Sequence, residues 1–189
     1  MFLPNSFSIS GVSRHPWVKP HHYAQENRRE GIERLHDEII DFHRWIIATP
    51  EEYQMRYDVV LRVESIIKKQ FPQARVEVFG SFQTGLYLPT SDIDMVVFNQ
   101  VDAVRTGALY QLQDTLIQQN IAEKMSIKVI DRATVPIVKM RDLLTDIKVD
   151  ISFNMESGVT SVSLIKEFVR QFPPLPYLVL LLKQFLLQR

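Results

Sequence analysis

Val78-Phe79-Gly80-Ser81-Phe82-Gln83-Thr84-Gly85-Leu86-Tyr87-Leu88-Pro89-Thr90-Ser91-Asp92-Ile93-Asp94 is the stretch on which the fold turns. Just before it, Val76 and Val78 alternate with Arg75 and Glu77, the period of a half-buried strand that runs into Phe79-Gly80-Ser81. Gly80-Ser81 then ends the strand and opens a short helix, and Asp92-Ile93-Asp94 begins the next strand, Ile93 to Phe98. Side chains two apart on a strand share a face, so Asp92 and Asp94 point together while Ile93 packs on the other side. Carboxylates about 6–7 Å apart on one face repel unless cations sit between them.

A third carboxylate, Asp150, lies in the strand-like run Lys148-Val149-Asp150-Ile151-Ser152-Phe153. Brought beside Asp92 and Asp94, it makes an all-oxygen nest suited to Mg²⁺ or Mn²⁺. Asp150 has apolar neighbours, where an unpaired carboxylate is costly and a metal relieves the cost. Gly80 lets the backbone approach a phosphate, and the helix amides with the Ser81 hydroxyl can hold its oxygens. A triphosphate bridged by two metals could then be attacked in line by a bound 3′-hydroxyl. Taken singly, each piece has an ordinary explanation. Asp-x-Asp is common on surface strands, Gly-Ser pairs are mostly turns, and Asp150 could pair with Lys148 on its own face. Joined in this order and spacing, they form one specific constellation.

Outward from this stretch, Thr49-Pro50-Glu51-Glu52 is a helix start, with Thr49 as cap, Pro50 in the first turn and Glu52 completing a capping box. Met55, Val59, Val63, Ile66 and Ile67 mark the apolar face, and Pro72 ends the helix. An earlier amphipathic helix begins near Gly31, with Ile32, Leu35, Ile39, Ile40 and Phe42 at helical spacing. A helix is expected over Gly107 to Gln119, then strands at Ser126 to Ile130, Val135 to Met140 and Ile147 to Phe153. Thr145-Asp146 would make the last two a hairpin. Leu164, Ile165, Phe168 and Val169 give another helix, closed by Pro173-Pro174. The final element, Leu175 to Arg189, stops without cap or breaker, which suggests a chain cut inside a larger protein.

Composition narrows the class. The 189 residues suffice for one ordinary domain, and the balance of apolar and charged residues is that of a soluble globular protein. Lys plus Arg and Asp plus Glu both number 22, so any attraction for nucleic acid must come from a local groove. Without cysteine, disulfides and Cys-ligated zinc are excluded. Met1 to Ser10 lacks the basic start and apolar run of a signal peptide. Tyr177 to Leu187 is apolar but far short of the about 20 residues a bilayer span needs, so it reads as a buried helix. His21-His22 reads as polar surface in a Pro-containing arm, and His36 with His43, sharing a helix face without a third ligand, reads as structural.

From Val78 to Asp94 the sequence resembles the DNA polymerase beta-like nucleotidyltransferase superfamily. Within it, the chain is similar to the noncanonical poly(A) polymerases of the topoisomerase-related or DNA polymerase sigma group, which act in nuclear RNA surveillance. The resemblance runs from Leu35-His36-Asp37-Glu38-Ile39-Ile40 to Leu182–Arg189 and includes Ala133-Thr134-Val135-Pro136-Ile137 and Lys148–Asn154. It implies that Asp92 and Asp94 hold both metals and that Asp150 serves the metal that activates the RNA 3′-hydroxyl. Gly80 and Ser81 match the phosphate-gripping pair, Gly158 a glycine beside the nucleotide sugar, and Lys183 a lysine on the triphosphate. Gly158, following Ser157, could equally be a turn or cap, and Lys183 could snorkel from its apolar helix.

The fold expected is α/β, a mixed, mostly antiparallel twisted sheet with helices on one face. Its divisions are a flexible arm over 1–30, a helix of a central domain over 31–50, the nucleotidyltransferase domain over 51–174, and the start of a truncated helical central domain over 175–189. The resemblance implies AMP transfer from ATP to RNA 3′ ends with two Mg²⁺ or Mn²⁺ ions. It also implies a nuclear location and, as partners, a zinc-knuckle RNA-binding protein and an RNA helicase. Uridylyl or mixed-nucleotide tailing, limited DNA polymerase activity and a non-catalytic binding module are the rival readings. By the same resemblance, the helices that choose the base lie beyond Arg189.

Overall fold

The computed structural model describes residues 16–17, 31–99 and 107–187. The arm over 1–30, including His21-His22, lies outside these residues except for Pro16 and Trp17. Two compact units divide at Ile47/Ala48. In the first, helix α1 (Gly31–Ile46) keeps Phe42 and Ile46 buried while Ile32 and Leu35 are exposed. Trp17 meets Phe42 edge-on at 5.1 Å between ring centroids and Trp45 at 5.2 Å, a small aromatic cluster.

In the second unit, helix α2 (Pro50–Gln70) starts as its residues dictate. Thr49 is extended and its Oγ1 accepts from the Glu52 amide at 3.2 Å, with Pro50 opening the first turn. Its buried stripe is Arg56, Val59, Val60, Val63, Ile66 and Ile67, whereas Met55, expected on the apolar face, is exposed. The chain continues through β1 (Arg75–Phe79), the five-residue helix α3 (Gly80–Thr84), β2 (Ile93–Phe98) and α4 (Ala108–Gln118). Strands β3 (Lys128–Ile130), β4 (Ile137–Arg141) and β5 (Lys148–Phe153) follow, then helices α5 (Glu156–Gln171) and α6 (Leu175–Leu187).

The five strands form one sheet in the order β1-β2-β5-β4-β3. Only the central β2–β5 pair is parallel; β1–β2, β4–β5 and β3–β4 are antiparallel. Alternation assigns the faces. Ile93, Met95 and Val97 of β2, Val149, Ile151 and Phe153 of β5, and Val138 and Met140 of β4 build the core with Val59, Val63 and Ile67 of α2 and Leu109, Leu112 and Leu116 of α4. Asp94, Asp150 and Lys139 take the opposite face. α5 packs along α3 and β1, reached through Phe79, the register partner of Asp94.

The β4–β5 hairpin is locked at its turn. The buried carboxylate of Asp142 accepts from Arg62 Nη2 at 3.0 and 2.9 Å, from the Thr145 amide at 2.9 Å and from Thr145 Oγ1 at 2.8 Å. Asp146 takes the left-handed conformation that closes the turn, with φ at 61°. This turn fixes the register of β4 on β5, with Lys139 opposite Asp150 and Arg141 opposite Lys148.

Candidate active site

Asp94 and Asp150 are direct register partners across the parallel β2–β5 pair. Paired residues on adjacent strands project to the same face, so both carboxylates emerge side by side. Asp92, two residues before Asp94, adds a third negative charge. Strand register places Asp94 beside Asp150, and the loop that ends just ahead of β2 brings Asp92 to them.

The electrostatics follow. Burial, and after it the charges of Asp92 and Asp150, push the Asp94 carboxyl up to about 6, with attraction from Lys139 and Lys183 offsetting part of the rise. Asp150 is only 9% exposed and is held in an ion pair by Lys139. That bond, more than the attraction of Asp150, Asp92 and Asp94 at longer range, raises the Lys139 ammonium above its ordinary range.

Gly80 sits at φ +66°, and a Cβ added there would lie 2.0 Å from Oδ2 of Asp94. The absence of a side chain at Gly80 is therefore what lets the Asp94 carboxylate lie against the start of α3. Ser81 is half-buried in that short helix, where its carbonyl accepts from Thr84 Oγ1 and the Leu86 amide, each at 3.1 Å. Gly158 falls in the first turn of α5, not in a loop, and a Cβ there would meet the Phe79 ring at 2.7 Å and Met155 Cε at 2.9 Å. It is a close-packing glycine that brings α5 down on β1.

Lys183 projects from α6 and donates to the Leu86 carbonyl at 2.8 Å. Burial lowers its ammonium pKa, while Asp92 and Asp94 pull it back up. The cation expected in an otherwise apolar helix is therefore within electrostatic range of the acidic cluster. Two residues escaped the sequence reading. Lys139 alternates with Val138 and Met140 and so had to face away from the core, but its pairing with Asp150 depends on the hairpin register. Arg56 stands at the head of the buried i, i+3, i+4, i+7 stripe of α2 with Val59, Val60 and Val63, and a charged residue there is itself a signal.

Do these residues suit a divalent cation? Three carboxylates supply only oxygen donors, the chemistry of Mg²⁺ and Mn²⁺ sites. Asp94 is destabilised in its charged form by burial and then by the charges of Asp92 and Asp150, a deficit that a bound cation offsets. Among the described residues no three His, Asp or Glu side chains are already gathered into a metal-ready group, and Asp150 is engaged by Lys139. The donor set fits; loading it requires Asp150 to exchange Lys139 for the ion.

Residues 35–170 match the family described as the central palm domain of mitochondrial-like poly(A) RNA polymerase. A Drosophila melanogaster protein named as an inactive poly(A) RNA polymerase, Trf4-2, is 45% identical over 172 residues, covering 90% of this chain and 42% of that protein. The poly(A) RNA polymerase cid14 of Schizosaccharomyces pombe is 36% identical over 172 residues, covering 90% of this chain and 25% of that protein. Among solved structures, the polymerase core of TRAMP, an RNA surveillance complex, superposes with a TM-score of 0.79 at 34% identity. The match covers 94% of this chain and 54% of that one. The Cid1 poly(U) polymerase shares the fold, with a TM-score of 0.70 at 22% identity over 80% of this chain and 47% of its own. The chain thus spans less than half the length of these curated relatives. With its mixed five-stranded sheet, its three carboxylates gathered at the β2–β5 pair and a family match over 35–170, the chain belongs to the family of central palm domains of poly(A) RNA polymerases.

Proposed function

We propose that this chain carries the catalytic carboxylates of an enzyme that transfers AMP from ATP to RNA 3′ ends. The observation that carries the reading is the pairing of Asp94 with Asp150 across parallel strands, with Asp92 two residues away. Asp92, Asp94 and Asp150 would hold Mg²⁺ or Mn²⁺, which when bound acidifies the 3′-hydroxyl and neutralises charge on the triphosphate. The bond formed is between the RNA 3′-oxygen and the α-phosphorus of ATP; the bond broken is that to the bridging oxygen of pyrophosphate, which leaves. The 3′-hydroxyl proton is released to solvent.

The chain's own residues bind and orient. Gly80, without a side chain, lets the Asp94 carboxylate lie against the start of α3, and the Ser81 hydroxyl beside it donates to a phosphate oxygen. Lys183 stands by to neutralise the leaving pyrophosphate, exchanging the Leu86 carbonyl for phosphate oxygen. Gly158 lets α5 approach the nucleotide sugar. We further read 51–174 as the nucleotidyltransferase domain, with 31–50 and 175–189 as parts of a helical central domain. Similarity to the polymerase core of an RNA surveillance complex supports surveillance RNAs as substrates. A nuclear location, and a zinc-knuckle RNA-binding protein and an RNA helicase as partners, are proposed on the sequence resemblance alone. No helix of the described residues is long and apolar enough to cross a membrane.

A second reading, a non-catalytic RNA- or partner-binding module, draws on the relative named as inactive at 45% identity. Offering each nucleoside triphosphate separately to the protein at its full natural length, with a labelled RNA oligonucleotide, separates the two. Extension with ATP supports adenylyl transfer, and UTP in preference makes it a uridylyl transferase. RNA binding without extension by any triphosphate supports the module.

A further inference from the structure

Arg56 is 1% exposed and directs both terminal nitrogens of its guanidinium at the backbone that leads into Asp92. Nη1 donates to the Ser91 carbonyl at 2.9 Å, and Nη2 to the Pro89 carbonyl at 2.7 Å and the Leu88 carbonyl at 3.5 Å. Nε donates to Glu52 Oε1 at 3.2 Å, one helical turn back, which sets the plane of the fork. The Tyr87 ring lies 4.9 Å from the guanidinium carbon and closes the remaining side. Within the loop, the Leu88 amide donates to Ser91 Oγ at 3.0 Å and the Ser91 amide to the Leu88 carbonyl at 2.9 Å.

Three carbonyls of the segment 88–91 therefore converge on one buried cation, and the next residue is Asp92. A loop whose carbonyls point inward has no fixed conformation unless something satisfies them. Here one planar, always charged fork does so, in a geometry that a lysine ammonium cannot reproduce. A shift of the Ser91 peptide moves Asp92 directly, and moves Asp94 through the first residue pair of β2.

We propose that Arg56 is a positioning residue that sets the spacing of Asp92 and Asp94 through the 88–91 backbone. The inference rests on the reading of those carboxylates as the cation site. It separates Arg56 from a residue that only holds α2 to the sheet, because a merely structural arginine would alter the melting temperature without altering cation affinity in the folded protein.

The test uses Arg56→Lys and Glu52→Ala, with Asp92→Ala/Asp94→Ala as control. Mn²⁺ affinity is read by electron paramagnetic resonance at a temperature where each variant is folded, and amide exchange of the peptide spanning 86–92 is read by mass spectrometry. Outer partners of metal ligands typically set affinity by about 10- to 100-fold, so a Mn²⁺ loss of that size is expected in Arg56→Lys, with faster exchange over 88–92. RNA affinity should not change. Glu52→Ala, which keeps the buried cation but frees its Nε, should shift Mn²⁺ affinity in the same direction by a smaller factor, and carries the test should Arg56→Lys not fold. Wild-type Mn²⁺ affinity in whichever variant is folded overturns the proposal alone. Equal Mn²⁺ binding by the wild type and the Asp92→Ala/Asp94→Ala control overturns the reading of the site and this inference with it.

Discussion

Gly80 and Asp94 occupy the same small volume: a Cβ at Gly80 would stand 2.0 Å from Oδ2 and 2.8 Å from Cγ of Asp94. Gly80→Ala therefore meets two obstacles at once, a carboxylate in its way and a left-handed backbone at φ +66°. The first cannot be relieved without moving Asp94. The expected outcome is a loss of stability of about 1–3 kcal/mol by chemical denaturation, with nucleotidyl transfer reduced far beyond what the unfolded fraction explains. A folded Gly80→Ala protein with normal turnover would mean that the position of Asp94 is not critical.

Asp94 also makes stability depend on pH. Its folded-state pKa of about 6 lies above the 3.8 of the unfolded chain, so the folded form holds the proton more tightly. Its contribution favours folding below about pH 3.8, is lost as pH climbs from there to about 6, and is absent above. Asp94→Asn has no such loss. Without divalent cations its melting temperature should exceed that of the wild type at pH 7.5, by about 2–4 °C for each kcal/mol of relieved burial and repulsion. At pH 4 the two should converge. An equal gap at both values would rule out the acidic cluster as its source.

Lys139 is the counter-charge of Asp150 in the metal-free protein. Lys139→Met leaves a carboxylate that is 9% exposed without its ion-pair partner. Removing one member of a buried charged pair strands the other, but the Lys139 side chain is itself 46% exposed and solvent screens part of the effect. A destabilisation of about 1–3 kcal/mol is expected in urea titrations. Adding Asp150→Asn to Lys139→Met should restore most of it, the non-additivity that marks direct coupling. Simple additivity of the two changes would show that the ion pair contributes nothing in solution.

Asp94 was legible from a period of two that sets it opposite Ile93, whereas Asp92, expected to open the strand with it, lies in the loop just ahead of β2. The start of α2 was also legible, since Thr49, Pro50 and Glu52 carry their own geometry. The pairing of Lys139 with Asp150 was not legible. It depends on the turn being centred between Leu144 and Thr145, held by Asp142 and Arg62, and a one-residue slip would have put another side chain there. Gly158 was recognised as special for a different reason than the one the structure shows first, because contact with Phe79 is a long-range fact. Arg56 is hidden from a pattern of apolar residues, because Met55 beside it fits that pattern although it is exposed.

Gly158→Ala tests that contact. Alanine in a helix is favoured over glycine by about 1 kcal/mol. Here, however, the methyl would meet Phe79 Cδ2 at 2.7 Å and Cε2 at 2.8 Å, and overpacking of this kind costs about 1–3 kcal/mol. A net destabilisation is expected, recovered by pairing Gly158→Ala with Phe79→Leu. A stabilised Gly158→Ala protein would show that α5 stands farther from β1 than 2.7 Å implies.

Asp92, Asp94 and Asp150 together are the proposed catalytic centre of an RNA 3′-adenylyl transferase. The most direct test is extension of a labelled RNA oligonucleotide with ATP and Mg²⁺ or Mn²⁺, comparing the wild type with Asp92→Ala/Asp94→Ala at full natural length. Circular dichroism establishes that both are folded. The wild type should add adenylates and the double variant none above background, while both bind the RNA equally. Substantial tailing by the folded double variant would mean that Asp92 and Asp94 are not the catalytic carboxylates.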